Sequence, residues 1–367
     1  MIVFGTRPEA VKMAPLVQEF EKQSDTFETI VTITAQHREM LDQVLNTFQI
    51  SPDFDLNVME HSQSLTQITN RVLQGIDEVI NQVSPDIMLV HGDTSTTFAA
   101  SLAAFYHQIV VGHVEAGLRT WNKYSPYPEE INRQLTGVLA DLHFAPTEKA
   151  KDNLLHENKP QNTIFVTGNT AIDALQTTVR DDYHHPLLNE LGNKRMILVT
   201  AHRRENIGQN MLQMFKAIKR LVNAHEDVQV IFPVHLNPEV RKIANQVLGS
   251  DQRIKLISPL NVIDFHNFMA KSYLILTDSG GIQEEAPSLG VPVLVMRDTT
   301  ERPEGIEAGT LKLVGSNEEE IFNEASHLLL DQQAYDQMAK ATNPFGDGKA
   351  SQRIADIIVK YFEQMDK

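Results

Sequence analysis

The sequence predicts an α/β protein made of two doubly wound parallel sheets, each covered by helices on both faces. Three observations lead there. Short β-branched runs alternate with longer amphipathic stretches, the pattern of parallel strands joined by helical crossovers. Ten candidate strands divide evenly between the halves of a 367-residue chain, which is long enough for two domains of ordinary size. A turn signal, Thr167-Gly168-Asn169-Thr170, followed by a helix and a polar segment over 180–194, separates the two halves.

In chain order, the strands expected in the first half cover 2–4, 28–34, 87–90, 110–114 and 142–145. Those in the second half cover 196–200, 228–233, 254–256, 273–277 and 293–295. The last turn signal spans 343–348, and 350–362 reads as a closing helix. The expected domains are 1–168 and 169–345, with 346–367 packing back on the first. In open α/β sheets ligands bind at the carboxyl ends of the strands, so polar residues just after each strand carry the functional argument.

Composition narrows the class. A hydrophobic content of 41% suits a fully globular chain, and no apolar run approaches the ~20 residues a membrane-spanning helix needs. Met1-Ile2-Val3-Phe4 lacks the charged and apolar regions of a signal peptide, which makes a cytoplasmic location the expectation. The absence of cysteine excludes disulfides, thiolate metal sites and a cysteine nucleophile. A formal net charge of −16 argues against nucleic acid or an anionic membrane as partner. An anionic ligand would need basic residues gathered locally, and Arg7, Lys12, Arg119, Arg203, Arg204 and Arg302 lie in or beside Gly/Pro-rich turns.

The first strand ends in Gly5-Thr6-Arg7-Pro8-Glu9, where Pro8 suits a first helical turn and Arg7 with Lys12 can place two cations near one helix start. Phosphate binding and a plain helix start both fit. Neither a Walker Lys-Ser/Thr nor a strand-linked Gly-x-Gly-x-x-Gly is present, so ATP-type hydrolysis and a firmly held dinucleotide are not indicated.

Three acidic motifs follow: His91-Gly92-Asp93-Thr94, His113-Val114-Glu115-Ala116-Gly117-Leu118-Arg119, and Pro126-Tyr127-Pro128-Glu129-Glu130-Ile131-Asn132-Arg133. Taken singly, Asp93 could be an N-cap, Glu115 a buried partner of Arg119, and Glu129 a first-turn helix acid. Three carboxylates in one domain, without metal-type histidine spacing, suit general acid/base work better than metal ligation.

In the second half, His202-Arg203-Arg204 directly after a strand could stabilise charge on a leaving diphosphate, or cap a helix. The stretch 272–287 reads as a buried strand, a glycine turn and a helix start. Ser279-Gly280-Gly281 could let a diphosphate approach backbone N–H groups, with Glu285 one turn on to accept from ribose hydroxyls; Ser279 as a simple cap is the alternative. Arg302 lies in a further strand-end loop, 299–305.

Taken together and in order, Gly5-Thr6-Arg7-Pro8-Glu9, the three acidic motifs, His202-Arg203-Arg204-Glu205-Asn206, Asp278-Ser279-Gly280-Gly281 and Glu301-Arg302-Pro303-Glu304 resemble the bacterial non-hydrolysing UDP-N-acetylglucosamine 2-epimerases. The resemblance runs nearly end to end. It implies two Rossmann-like, GT-B-like domains with the active site in the cleft between them, a homodimer, and neither metal nor nicotinamide. The implied reaction interconverts UDP-GlcNAc and UDP-ManNAc through elimination of UDP, a bound 2-acetamidoglucal and re-addition, supplying ManNAc units for surface polysaccharide.

By the same resemblance Asp93, Glu115, Glu129 and His202 are catalytic. Arg7, Lys12, Arg119, Arg133, Ser279, Gly280, Gly281, Glu285 and Arg302 are expected on the substrate. A second UDP-GlcNAc is implied as an allosteric activator at a loop containing Gln36 and Glu39; Gln36 fits that site, whereas Glu39 and Ser62 stand where Gln and Arg are expected. A hydrolysing epimerase, a GT-B glycosyltransferase and a nucleotide-sugar sensor are the competing assignments. The acids argue against the last two, because a transferase requires fewer and an idle sensor could be expected to lose one.

Overall fold

A computed structural model describes residues 1–35, 38–60 and 63–365, with backbone alone for 38–40. The described chain divides into two compact units, one of Met1–Thr177 with Phe345–Lys367, the other of Thr178–Pro344. Among the described residues each unit is built on one parallel sheet.

The first sheet contains β1 (Ile2–Phe4), β2 (Val31–Ile33), β3 (Phe54–Asp55), β4 (Ile87–His91), β5 (Val110–Val114), β6 (Leu142–Ala145) and β7 (Ile164–Val166), in the spatial order β3-β2-β1-β4-β5-β6-β7. The second contains β8 (Arg195–Thr200), β9 (Val228–Pro233), β10 (Ile254–Ile257), β11 (Leu274–Thr277), β12 (Val293–Val295) and β13 (Leu311–Leu313), in the order β10-β9-β8-β11-β12-β13. Each order runs outward from its first strand and then reverses, the Rossmann-like double winding. The reversal opens a switch point between β1 and β4 in one unit and between β8 and β11 in the other.

Central strands are covered by helices on both sides, which explains their unbroken apolar runs. Met88, Leu89 and Val90 are fully buried in β4, as are Leu274, Ile275 and Leu276 in β11. The helices show the complementary pattern. Leu65–Val83 buries Ile68, Val72, Ile76, Val79 and Ile80 along one face and starts with a Ser64/Gln67 capping box. In-register pairing of His91 with Val114, and of Thr277 with Thr200, brings neighbouring strands to an end at the same level. The residues after them therefore emerge side by side.

Three strands depart from expectation: β3, β7 and β13 form where the sequence showed no strand, each at a sheet edge. Conversely, the expected run 28–34 pairs only over Val31–Ile33. The unit boundary falls at 177/178 and not at 168/169, because the helix Thr170–Thr178 is anchored in the first unit. Asp173 accepts from the amides of Ala350 (3.2 Å) and Ser351 (2.7 Å), and the Asn169 amide donates to Phe345 O (2.7 Å). Those bonds also fix the closing helix Ala350–Met365 to that unit. No described helix is long and apolar enough to cross a membrane.

Candidate active site

The two switch points gather most of the residues singled out by the sequence. After β1 the helix Arg7–Lys22 starts with Thr6 as N-cap and Pro8 in its first turn. Glu9, buried there, accepts at Oε2 from the amides of Gly5 (3.0 Å) and Thr6 (2.7 Å). Its Oε1 accepts from the hydroxyls of Thr94 (2.7 Å) and Thr97 (3.2 Å). The loop after β1 is thereby tied to the loop after β4, which carries Asp93.

Asp93 follows Gly92, whose φ of 67° glycine adopts without a Cβ penalty. Its Oδ2 is paired with Arg133 Nη2, and Asn132 donates to its backbone oxygen at 3.0 Å. Oδ1 has no partner among the described residues. Burial pushes the Asp93 carboxyl above its ordinary range; Arg133 opposes that, and Glu115 and Glu129 add to it.

Glu115 follows β5 in the left-handed region, with φ 63°, a conformation that costs a non-glycine residue about 1–3 kcal/mol. Its Oε2 is gripped by Lys12 Nζ and by Asn169 Nδ2 (3.1 Å), with His91 Nε2 at 3.7 Å. Its Oε1 has no described partner and lies beside Gly92, 3.7 Å from where a Cβ on that glycine would stand. Burial alone would raise Glu115, but Lys12 and His91 hold it well below the usual carboxylate range. Glu129 begins the helix Glu129–Leu139, half-buried and without a described side-chain partner. One unit thus holds an acid pushed toward protonation and a carboxylate kept ionised, the split that acid/base chemistry uses.

In the second unit, Asp278 directly follows β11 and is fully buried. It accepts from the His202 amide (2.9 and 3.1 Å), the Arg203 amide (2.9 Å) and Asn206 Nδ2 (3.2 Å), and its Oδ1 lies 3.0 Å from His202 Nδ1. Burial would raise Asp278, but the imidazole and the two amides keep it below its normal value. With Nδ1 held by a carboxylate, His202 has Nε2 available for a ligand. The His235 ring lies 5.7 Å away, centroid to centroid, and burial with His202 nearby lowers its pKa.

Ser279 precedes the helix Gly280–Glu285 without using its hydroxyl as a cap. The two glycines differ. A Cβ on Gly280 would stand 2.9 Å from Arg302 Nη1, so the guanidinium covers that residue; a Cβ on Gly281 would meet only Glu285 Oε1, at 3.9 Å. Arg302 Nε donates to Glu284 (2.8 Å), with Glu301 3.6 Å from Nη1. Glu285 lies 3.8 Å from His266 Nε2.

Besides Arg302, three further cations expected on the substrate are engaged with carboxylates. Lys12 holds Glu115 and Arg133 holds Asp93. Arg119, with no side-chain exposure, forks onto Glu157 (2.6 and 2.8 Å) and donates to Leu118 O. Among the described residues it does not pair with Glu115, because Glu157, which caps the helix Glu148–His156, supplies its partner. Arg7 stays half-buried at its helix start. Gln36 and Ser62 lie outside the described residues, and for Glu39 only helical backbone is described. Sequence reasoning missed Asp278, Asn169 and Glu130 as organisers of the site; for Asp278 the signal was available in its position at the end of a buried run.

A family model described as UDP-N-acetylglucosamine 2-epimerase matches residues 18–359. A UDP-N-acetylglucosamine 2-epimerase of Bacillus subtilis is 65% identical over 362 residues, covering 99% of this chain and 95% of the relative. Among solved structures, an S. aureus MnaA–UDP co-structure matches with a TM-score of 0.90 at 56% identity, over 100% of this chain and 97% of that one. A UDP-GlcNAc 2-epimerase from Neisseria meningitidis bound to UDP-GlcNAc matches with a TM-score of 0.89 at 50% identity, over 98% and 99%.

Proposed function

The chain belongs to the UDP-N-acetylglucosamine 2-epimerase family, and on that premise we propose that it interconverts UDP-GlcNAc and UDP-ManNAc without net hydrolysis. The observation that carries the reading is the contrast between Glu115 and Asp93. Each has one carboxylate oxygen fixed by a cation and one without a partner among the described residues, and their proton affinities are pushed apart.

The C2 proton of the sugar is not next to a carbonyl, so direct deprotonation is slow and elimination is easier. Glu115, kept ionised, takes the C2 proton as UDP leaves C1, giving 2-acetamidoglucal. Asp93, pushed toward protonation, delivers a proton to the opposite face of C2 as UDP adds back, and the reverse reaction exchanges the two roles. Glu129, without a side-chain partner among the described residues, exchanges protons with solvent. His202, oriented by Asp278, donates to the departing diphosphate. Arg7, Ser279, Gly281 and Arg302 hold the diphosphate and uridine, and Glu285 the ribose; the UDP and UDP-GlcNAc in the S. aureus and Neisseria structures support that ligand class.

The same reading makes the enzyme a cytoplasmic homodimer that supplies ManNAc units for surface polysaccharide. It also carries activation by a second UDP-GlcNAc, which hyperbolic kinetics would remove. Proton NMR with UDP-GlcNAc in deuterated water tests the chemistry. UDP-ManNAc with deuterium at C2 is expected; free ManNAc with UDP would move the assignment to hydrolysis, and an unchanged spectrum would overturn it. Asp93→Asn, Glu115→Gln and Glu129→Gln are each expected to lower turnover by about 10²–10⁴ while UDP still binds.

A further inference from the structure

We propose that Glu130 is a positioning residue for this reaction, clipping the loop before its helix to the helix itself and aiming Arg133 at Asp93. The proposal rests on the acid/base reading above. Glu130 adjoins Glu129 in sequence, yet its side chain is fully enclosed. A carboxylate without water must be compensated by hydrogen bonds or opposite charge.

Its partners come from two segments. Oε2 accepts from the Thr120 amide (3.0 Å) and lies 3.5 Å from Arg133 Nη1. Oε1 accepts from the Trp121 amide (3.0 Å) and from Gln134 Nε2 (2.9 Å). One carboxylate therefore joins residues 120–121 to the helix Glu129–Leu139.

The link to chemistry runs through the guanidinium. Arg133 reaches Glu130 with Nη1 and Asp93 with Nη2, while its Nε is buried without a hydrogen-bond partner among the described residues. Its planar fork is thus oriented by two carboxylates, and removing one frees it to turn away from the other. Asp93 is faced by Arg133 and Glu129 from this helix, by Glu115 from the end of β5 and by His91 from β4. Of these, Arg133 is the one in contact with Glu130 among the described residues.

The direction of one titration decides the matter. If Glu130→Gln acts through Arg133, Asp93 loses neighbouring positive charge and titrates at higher pH. Direct loss of the Glu130 charge would act in the opposite sense. Aspartate labelled with ¹³C at the carboxyl, with the signal assigned by Asp93→Asn, reports the value in the unaltered protein, E130Q, R133M and the double variant. Upward shifts in E130Q and R133M are expected, with no further shift in the double variant. The kcat of E130Q should fall tenfold or more with little change in KM, and the limb of its pH profile that follows Asp93 should move the same way. A downward or absent shift in folded E130Q, or additive shifts in the double variant, would overturn the proposal. Should E130Q fail to fold, Glu130→Asp, which keeps the charge but shortens the reach, is judged by the same upward shift. Lack of epimerase activity in the unaltered protein would remove the acid/base reading, while the titration would still decide whether Glu130 acts on Asp93.

Discussion

Replacing Asp278 by Asn tests whether this carboxylate sets the state of His202. The side chain keeps its shape and loses its charge. Its amide oxygen can occupy the position of Oδ2 and keep the bonds from the His202 amide (2.9 Å), the Arg203 amide (2.9 Å) and Asn206 (3.2 Å). The amide nitrogen then falls at the position of Oδ1, where it meets the His202 amide at 3.1 Å and His202 Nδ1 at 3.0 Å. A donor facing a backbone donor at full burial, together with weaker bonds to a neutral oxygen, costs about 2–4 kcal/mol. For a unit of this size that lowers Tm by about 5–15 °C. The imidazole must also turn Nδ1 into an acceptor to meet the new NH₂, and it loses the carboxylate that orients its ring. Turnover should therefore fall by about 10²–10³. Thermal unfolding and NMR turnover in deuterated water measure the two effects. A D278N protein with unchanged Tm and normal turnover would refute the argument that Asp278 orients His202.

Gly92→Ala places a Cβ on a backbone with φ 67°, at a cost of about 1–2 kcal/mol, and narrows the space beside Glu115 Oε1; turnover measured by NMR should fall further than stability measured in urea. Burial lowers the pKa of His113 to about 3 and of His143 to about 4 from 6.5, so the unfolded chain binds protons first as pH falls. The stability of the first unit should be fully present above pH 6.5 and decline below it, each ring contributing up to about 1.4 kcal/mol per pH unit, and His143→Leu should flatten that slope in thermal unfolding. In the second unit burial would raise Glu301, but Arg297 brings it down to about 2; its contribution is present above pH 4.5 and lost toward pH 2, and Glu301→Gln should weaken that acid dependence in denaturant titrations.

The central strands were legible because parallel strands covered on both faces must be apolar at every position, as in 87–90 and 274–276. The edges were not. β3, β7 and β13 pair on one side only, and Asp55, Val166 and Lys312 are exposed within them, so their composition carries little of the buried signal. The boundary was misplaced for a related reason. A glycine turn at 167–170 marks a strand end, but which sheet the next helix serves depends on Asp173 meeting residues 350–351, far along the chain.

In the candidate site, the sequence shows acids and cations after strands but not which of them pair. Lys12 reaches Glu115 across 103 positions, Arg133 reaches Asp93 across 40, and Arg119 reaches Glu157 across 38. Such pairs follow from the strand order, which sets β1, β4 and β5 side by side, and no local spacing encodes it. On the proposed binding mode, the pairings also bear on how a chain of net charge −16 accepts an anionic nucleotide sugar. Bare carboxylates at Asp93, Glu115 and Glu129 would repel it. Lys12 offsets Glu115, Arg133 offsets Asp93, and burial with like charges nearby favours the neutral form of Asp93. The cations that set proton affinity therefore also lower the repulsion that binding must overcome. Lys12→Met should accordingly weaken UDP-GlcNAc binding and slow turnover together, whereas D278N should affect turnover more than binding. Unchanged affinity in Lys12→Met, measured by calorimetry, would separate the two roles.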